Sequence, residues 1–350
     1  MRTTTWLTAT ALLFGLLFTS VVPAQEKKTA EPKKAAEPKA VAPKPKVVEP
    51  KAPGKKTPPE RMPPTVANYE YGKDSERQKF DFFQAKSDKP TPVVLLIHGG
   101  GWKNGDKTGY GTTAIKPFLD AGISVACINY RFIDQAMEQK VVPPVKASLH
   151  DAARALQTIR SKAKEWNIDP TKVGANGGSA GACTSLWLAL HDDLADPKSS
   201  DPIARESSKL QCAAVNGAQT SLDPKELREW MPNAIYGGHA FGFAAPGRDR
   251  AAEFDLLMAK RDEVMPWIKE YSPIELVDKN DPPLYLDYSG KNPPVLGESP
   301  PDPTHSPIYG VKLAERCKPL GVECIVTYKT AENKEYGSTT KFLISKLMGK

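Results

Sequence analysis

Lys172-Val173-Gly174-Ala175-Asn176-Gly177-Gly178-Ser179-Ala180-Gly181-Ala182-Cys183 reads as a short apolar strand, a turn centred on serine and the start of a helix. The glycines two residues to either side of Ser179 let strand and helix approach without a Cβ clash, so a strained turn is tolerable there. A serine at such a turn holds its hydroxyl clear of the sheet, facing solvent. Serine also caps helices well, and the two roles are compatible.

Strand-like and helix-like segments alternate on both sides of this turn. Pro92-Val93-Val94-Leu95-Leu96-Ile97 is a continuous apolar run of the kind that a strand covered on both faces needs. Residues 123–130 read as a second strand. Leu149, Ala152, Ala153, Leu156, Ile159 and Ala163 fall at helical spacing and predict a helix over 145–166, ended by Asn167-Ile168-Asp169-Pro170. Further strands are expected at 212–215, 284–286 and 322–328, and helices at 180–190, 311–316 and 339–347. This alternation predicts an α/β fold with a mostly parallel, doubly wound sheet and helices on both faces. Residues 221–281, with Trp230 and Trp267 but weak periodicity, are expected to form a lid-like insertion over one sheet edge.

His98-Gly99-Gly100-Gly101-Trp102 follows the strongest strand. Consecutive glycines can turn backbone N–H groups into a cavity, where they would hold a developing oxyanion; the plainer reading is a tight turn. His-Gly-Gly-Gly-Trp followed some eighty residues later by Gly-Gly-Ser-Ala-Gly resembles the α/β-hydrolase fold in its hormone-sensitive-lipase-like and feruloyl-esterase-like carboxylesterase branch. The resemblance runs from about Tyr69 to the C-terminus. Asn129-Tyr130-Arg131, His150-Asp151, Ser272-Pro273-Ile274 and Asp281-Pro282-Pro283-Leu284 also fit it. It implies Ser179 as nucleophile, N–H groups of Gly100, Gly101 and Ala180 as oxyanion donors, and His98 as a structural residue. It further implies a small-molecule ester substrate, with no cofactor and no metal.

The rest of a Ser-acid-His triad is harder to place. The resemblance puts the acid after the strand ending at Leu286, in an unusually long proline-rich loop over 289–305. Asp302 fits best, with Asp287 and Glu298 as alternatives; before proline, Asp is also an ordinary turn residue. The histidine is expected at about 330–338, but that stretch contains none, and Tyr336-Gly337 stands in its place. A phenol with a pKa near 10 is a poor base at neutral pH, and Glu335 would need burial to serve. His305, in the long loop beside Asp302, and His239, in the insertion, are the two replacements, each otherwise an unremarkable polar residue. Two functional classes therefore stay open. One is an exported ester hydrolase with a non-standard base. The other is a weakly active or inactive hydrolase-fold binding or scaffold protein, a pseudoenzyme.

The remaining features bound the class. Gly100 to Thr108 nearly spells a phosphate-binding loop, but Asp106 interrupts it and no helix-like run follows, which argues against an NTPase. Residues 1–24 have the basic start, short apolar core and Val22-Pro23-Ala24 ending of a signal peptide, so export to the periplasm or medium is expected. Residues 25–64 carry ten prolines and a net charge of +6, and are expected to be a disordered linker able to touch an anionic envelope surface. With that linker and Arg2 set aside, 65–350 holds 36 positive and 36 negative side chains, so no nucleic-acid-binding surface is implied. Five widely spaced cysteines form neither a disulfide framework nor a zinc motif.

Overall fold

The computed structural model describes residues 60–349. The signal peptide expected at 1–24, and residues 25–59 of the expected linker, lie outside the described residues. The described chain starts out packed: Arg61 Nη1 donates to Asp81 Oδ2 at 2.6 Å and Met62 N–H donates to Thr112 Oγ1 at 2.8 Å. Residues 60–64, which composition assigns to the linker, thus belong to the folded unit. Arg61 is part of the linker's basic count, yet its charge is spent on a buried carboxylate.

Among the described residues eight strands form one sheet: β1 (Val66–Glu70), β2 (Lys79–Phe83), β3 (Thr91–Ile97), β4 (Ser124–Ile128), β5 (Ile168–Gly178), β6 (Cys212–Asn216), β7 (Leu284–Asp287) and β8 (Cys324–Thr327). Their order is β1-β2-β4-β3-β5-β6-β7-β8. β2 runs antiparallel to both its neighbours, and β4 through β8 pair in parallel. All seven residues of β3 are buried, as a central strand covered on both faces requires.

The helices are α1 (Thr112–Asp120), α2 (Ile133–Glu138), α3 (Val145–Ser161), α4 (Ala180–Leu190), α5 (Pro224–Trp230), α6 (Arg250–Ala259), α7 (Met265–Tyr271), α8 (Ile308–Cys317) and α9 (Thr339–Met348). α3, α4 and α8 bury their apolar stripes with one sheet face, and α1 and α9 cover the other. α3 stops earlier than its periodicity predicts, because Lys162 leaves helical geometry and Asn167, at φ 46°, turns the chain into a longer β5. The expected insertion is a helical cap of α5, α6 and α7 with intervening 3-10 turns, placed between β6 and β7.

Register positions the site. Ile97 lies opposite Gly177, Gly178 opposite Asn216, and Asn216 opposite Asp287. The carboxyl ends of β3, β5, β6 and β7 therefore open onto one edge, where ligands bind in open α/β sheets.

Candidate active site

Ser179 occupies the turn between β5 and α4 at φ 53° and ψ −121°, a conformation outside both helix and strand. Such strain persists only where the surroundings impose it. Ser179 N–H donates to Asn216 O at 3.0 Å and its carbonyl accepts from Cys183 N–H at 3.0 Å, fixing the peptide on each side of the residue. The flanking glycines are obligatory for space: a Cβ on Gly181 would fall 2.0 Å from Ile97 O, and one on Gly177 2.4 Å from Gly181. Gly181→Ala must push α4 off β3. We expect it to lower folding stability by about 3 kcal/mol, the upper end for overpacking, read as a lower urea midpoint with unchanged slope.

The glycine loop runs beside this turn. A Cβ on Gly99 would lie 2.6 Å from Gly178 O and 3.3 Å from Ser179 Cβ, so the two backbones touch. Gly100 (φ 101°), Gly101 (φ 60°) and Trp102 (φ 55°) then take left-handed geometry in succession. Among the described residues the N–H groups of Gly100 and Gly101 have no protein acceptor. Ala180 is the first residue of α4, where a helix leaves its N–H without an internal partner. These donors are therefore free to meet a ligand oxygen.

The loop is held from below. Buried Trp102 donates Nε1–H to Thr184 Oγ1 on α4 at 3.0 Å, and Tyr130 donates its hydroxyl to His98 O at 2.7 Å. His98 stacks on Tyr130 with ring centres 4.3 Å apart and accepts from Arg77 Nη2 on Nε2 at 3.2 Å. Burial pushes its imidazole down to about 4. Both of its ring nitrogens are engaged, Nε2 with Arg77 and Nδ1 with Gly99 O at 2.9 Å.

The long loop after β7 brings His305 to the serine. His305 Nε2 lies 3.0 Å from Ser179 Oγ, and its Nδ1 lies 3.0 Å from Asp302 Oδ2 and 3.2 Å from Asp302 Oδ1. Asp302 also caps the 3-10 turn Pro303–His305 by accepting His305 N–H at 3.2 Å. Burial works against the Asp302 charge, but the bonds from Lys291 (Nζ to Oδ2, 2.8 Å) and His305 outweigh it and hold the carboxyl at about 2. The loop is pinned at several points: Gln219 Nε2 donates to Thr304 O at 2.6 Å, Gly297 N–H to Trp230 O at 2.9 Å and Asn233 Nδ2 to Pro300 O at 2.8 Å. Serine and histidine share an open cleft of about 530 Å³ with Gly99, Gly217, Asp287 and Lys291.

The other candidates stand apart from this pair. Asp287 Oδ1 accepts from Ser289 N–H at 2.8 Å and Thr327 Oγ1 at 2.9 Å, with no bond to His305. Glu298 lines a different cavity, with Met231 and Val295. Tyr336 packs on Phe342 and Tyr285, toward α9. His239 is buried in the cap against Trp102 and Tyr236. Of the two replacements for the histidine missing from 330–338, the structure brings His305 to Ser179, three residues after Asp302, and leaves His239 apart. Lys291, Tyr130 and Gln219 are contributors that the sequence reading missed.

The sequence matches the BD-FAE family over residues 81–297, a span that ends five residues before Asp302. A probable isoprenylcysteine alpha-carbonyl methylesterase of Arabidopsis thaliana is 28% identical over 141 residues, which are 40% of this chain and 28% of that protein. Gut esterase 1 of Caenorhabditis elegans is 27% identical over 166 residues, 46% of this chain and 30% of that protein. The chain thus spans less than a third of the length of either relative. Among solved structures, a carbohydrate esterase from gut microbiota superposes with a TM-score of 0.58 at 18% identity, covering 81% of this chain and 96% of that one. Esterase 2 of Thermogutta terrifontis gives 0.55 at 20% identity, covering 83% and 92%. At these identities the superpositions show the fold. The family match, across more than half of the residues, shows the lineage: the chain belongs to the BD-FAE family and has the α/β-hydrolase fold.

Proposed function

We propose that the protein is a carboxylic-ester hydrolase that works through an acyl-enzyme on Ser179. The observation that carries this reading is the contact of 3.0 Å between His305 Nε2 and Ser179 Oγ, with Nδ1 turned to Asp302. With Asp302 accepting from Nδ1–H, Nε2 carries the lone pair and can take the serine proton. The freed oxygen attacks the ester carbonyl carbon, and the carbonyl oxygen takes up the negative charge. The N–H groups of Gly100, Gly101 and Ala180 are the donors for that oxyanion. Collapse breaks the bond to the alcohol oxygen, which receives the proton from His305 and leaves. Water then repeats the sequence on the acyl-serine, giving the carboxylic acid and free enzyme.

Fluorophosphonate labelling together with p-nitrophenyl ester turnover tests this directly. The wild type is expected to label and to turn over short-chain esters, and Ser179→Ala to do neither. A wild type that neither labels nor hydrolyses any ester of a panel from acetate to octanoate rules the reading out.

A further inference from the structure

A second cavity, of about 130 Å³, lies on the far side of the glycine loop, between Gly100–Gly101 and the cap. Its cap wall is His239, Arg248, Arg250 and Glu253, and Lys103 closes it from the loop. His239 is 4% exposed, and among the described residues its Nε2 has no hydrogen-bond partner. That nitrogen faces the glycine loop: a Cβ on Gly101 would lie 3.6 Å from His239 Nε2 and 3.9 Å from Arg250 Nη2. A buried, unsatisfied polar atom is costly in a protein interior. Here it points at a space that a ligand atom can enter.

The charges around this space are unbalanced. Lys103 Nζ is 3.6 Å from Glu253 Oε1, and Arg248 leans out to Asp134 at 3.5 Å. Among the described residues Arg250 has no ion pair. One guanidinium is therefore left over beside a neutral ring nitrogen. Burial, with Lys103 and Arg250 adding to it, pushes the His239 imidazole down to about 3, so it offers an N–H or a lone pair and no charge. An Arg fork with a neighbouring N–H donor is the arrangement that recognises a carboxylate.

The cavity's place relative to the reaction assigns the part of the substrate that reaches it. The leaving alcohol oxygen must meet His305 Nε2, in the cleft with Gly217, Asp287 and Lys291. The capped cavity shares no residue with that cleft. Gly100 and Asn104 line both it and a further cavity, which shares Gly99, Gly178 and Asn216 with the cleft along the oxyanion wall. A substrate whose alcohol lies toward His305 thus directs its acyl group toward the cap. We propose that the cavity between the glycine loop and the cap is an acyl subsite for a carboxylate-bearing acyl group, gripped by Arg250 and His239. The preferred substrates are then hemiesters of short dicarboxylic acids, an inference that rests on the acyl-enzyme reading of Ser179. At roughly 30 Å³ per water, the space holds about four waters' worth of atoms, enough for a carboxylate and two or three methylenes.

The test compares p-nitrophenyl hemisuccinate with p-nitrophenyl butyrate, which match in acyl length and differ in the terminal charge. On the full-length protein, kcat/KM is expected to favour the hemisuccinate by at least tenfold, and Arg250→Gln to lower that ratio at least tenfold. A wild-type ratio at or below one, or a ratio unaltered in Arg250→Gln, overturns the subsite while butyrate turnover leaves the Ser179 reading standing. If neither ester is hydrolysed, the Ser179 reading fails on its own. The subsite is then judged by calorimetric titration of succinate, where binding lost in Arg250→Gln supports it, and binding absent or equal in both proteins overturns it.

Discussion

His305→Ala is expected to lower kcat on a p-nitrophenyl ester by about 10⁶, the loss seen when the base of a serine hydrolase is removed. The fold should survive, because the 302–305 turn keeps its other ties. Lys291 still pairs with Asp302, and Thr304 O still accepts from Gln219. Without the imidazole, the Ser179 hydroxyl stays protonated, since among the described residues no other titratable side chain is bonded to it. Added free imidazole should restore part of the rate by entering the space the ring vacates. Tyr336→Phe is the informative contrast. It changes the residue standing where the histidine is expected from the resemblance, and its ring packs against Phe342, centroids 5.0 Å apart, toward α9. Turnover should stay within twofold of wild type there. A His305→Ala enzyme within tenfold of wild type would remove His305 as the base.

The reason His305 is hard to foresee lies in which contacts carry which feature. The elbow and glycine loop are legible because their determinants are local. The clash at Gly181 involves Ile97, but the Gly-x-Ser-x-Gly spacing already encodes the need for small residues. β3 is legible for the same reason: seven consecutive buried residues need only the sheet's two faces to explain them. His305 gets its position from partners far away in the chain. Gln219 holds Thr304 across 85 residues, and Ser179 itself is 126 residues upstream. No periodicity in 289–305 reports those distances. β1 and β2 are missed for a related cause. β2 reads Lys79-Phe80-Asp81-Phe82-Phe83, and its buried Asp81 looks wrong for a strand until Arg61 and Lys107 are seen on the same carboxylate oxygen, at 2.6 and 2.8 Å. A buried charge is tolerable when paired and hydrogen-bonded, and the partners here are 20 and 26 residues away.

Carrying Asp302 and His305 on one turn has a mechanical consequence. Where the two sit on separate loops, each must be positioned independently. Here Asp302 caps the turn that ends in His305, so the group that orients the imidazole also shapes the backbone beneath it. The pair moves as a unit, and the ties to Gln219, Trp230 and Asn233 fix that unit against β6 and the cap. Lys291 is the counterweight. Against the effect of burial, it helps His305 hold the Asp302 carboxyl below its ordinary range while sharing Oδ2 with that ring. The cap therefore touches both sides of the site, bracing the loop that bears His305 and closing the cationic cavity over Gly101.

Asp302→Asn separates the two jobs of that carboxylate, and we expect it to cost about 10⁴ in kcat, the loss that a triad Asp→Asn exchange brings through the wrong imidazole tautomer. Asparagine caps helical turns as well as aspartate does, so the bond to His305 N–H is retained if the amide oxygen takes the Oδ1 position. The amino group then occupies the Oδ2 position, 3.0 Å from His305 Nδ1 and 2.8 Å from the Lys291 ammonium. It donates to Nδ1 and makes that nitrogen an acceptor. The ring proton moves to Nε2, which turns N–H toward Ser179 Oγ and can no longer take its proton. Flipping the amide only exchanges the problem, since the amino group would then face the His305 N–H. The tautomer is observable independently of rate, because the ¹⁵N shifts of His305 should exchange their Nδ1 and Nε2 character in the variant. Asp287→Asn and Glu298→Gln, which change carboxylates without a bond to His305, should each lose less than tenfold. A loss at Asp287 that exceeds the loss at Asp302 would move the acid to the end of β7 and leave Asp302 as the cap of its turn alone.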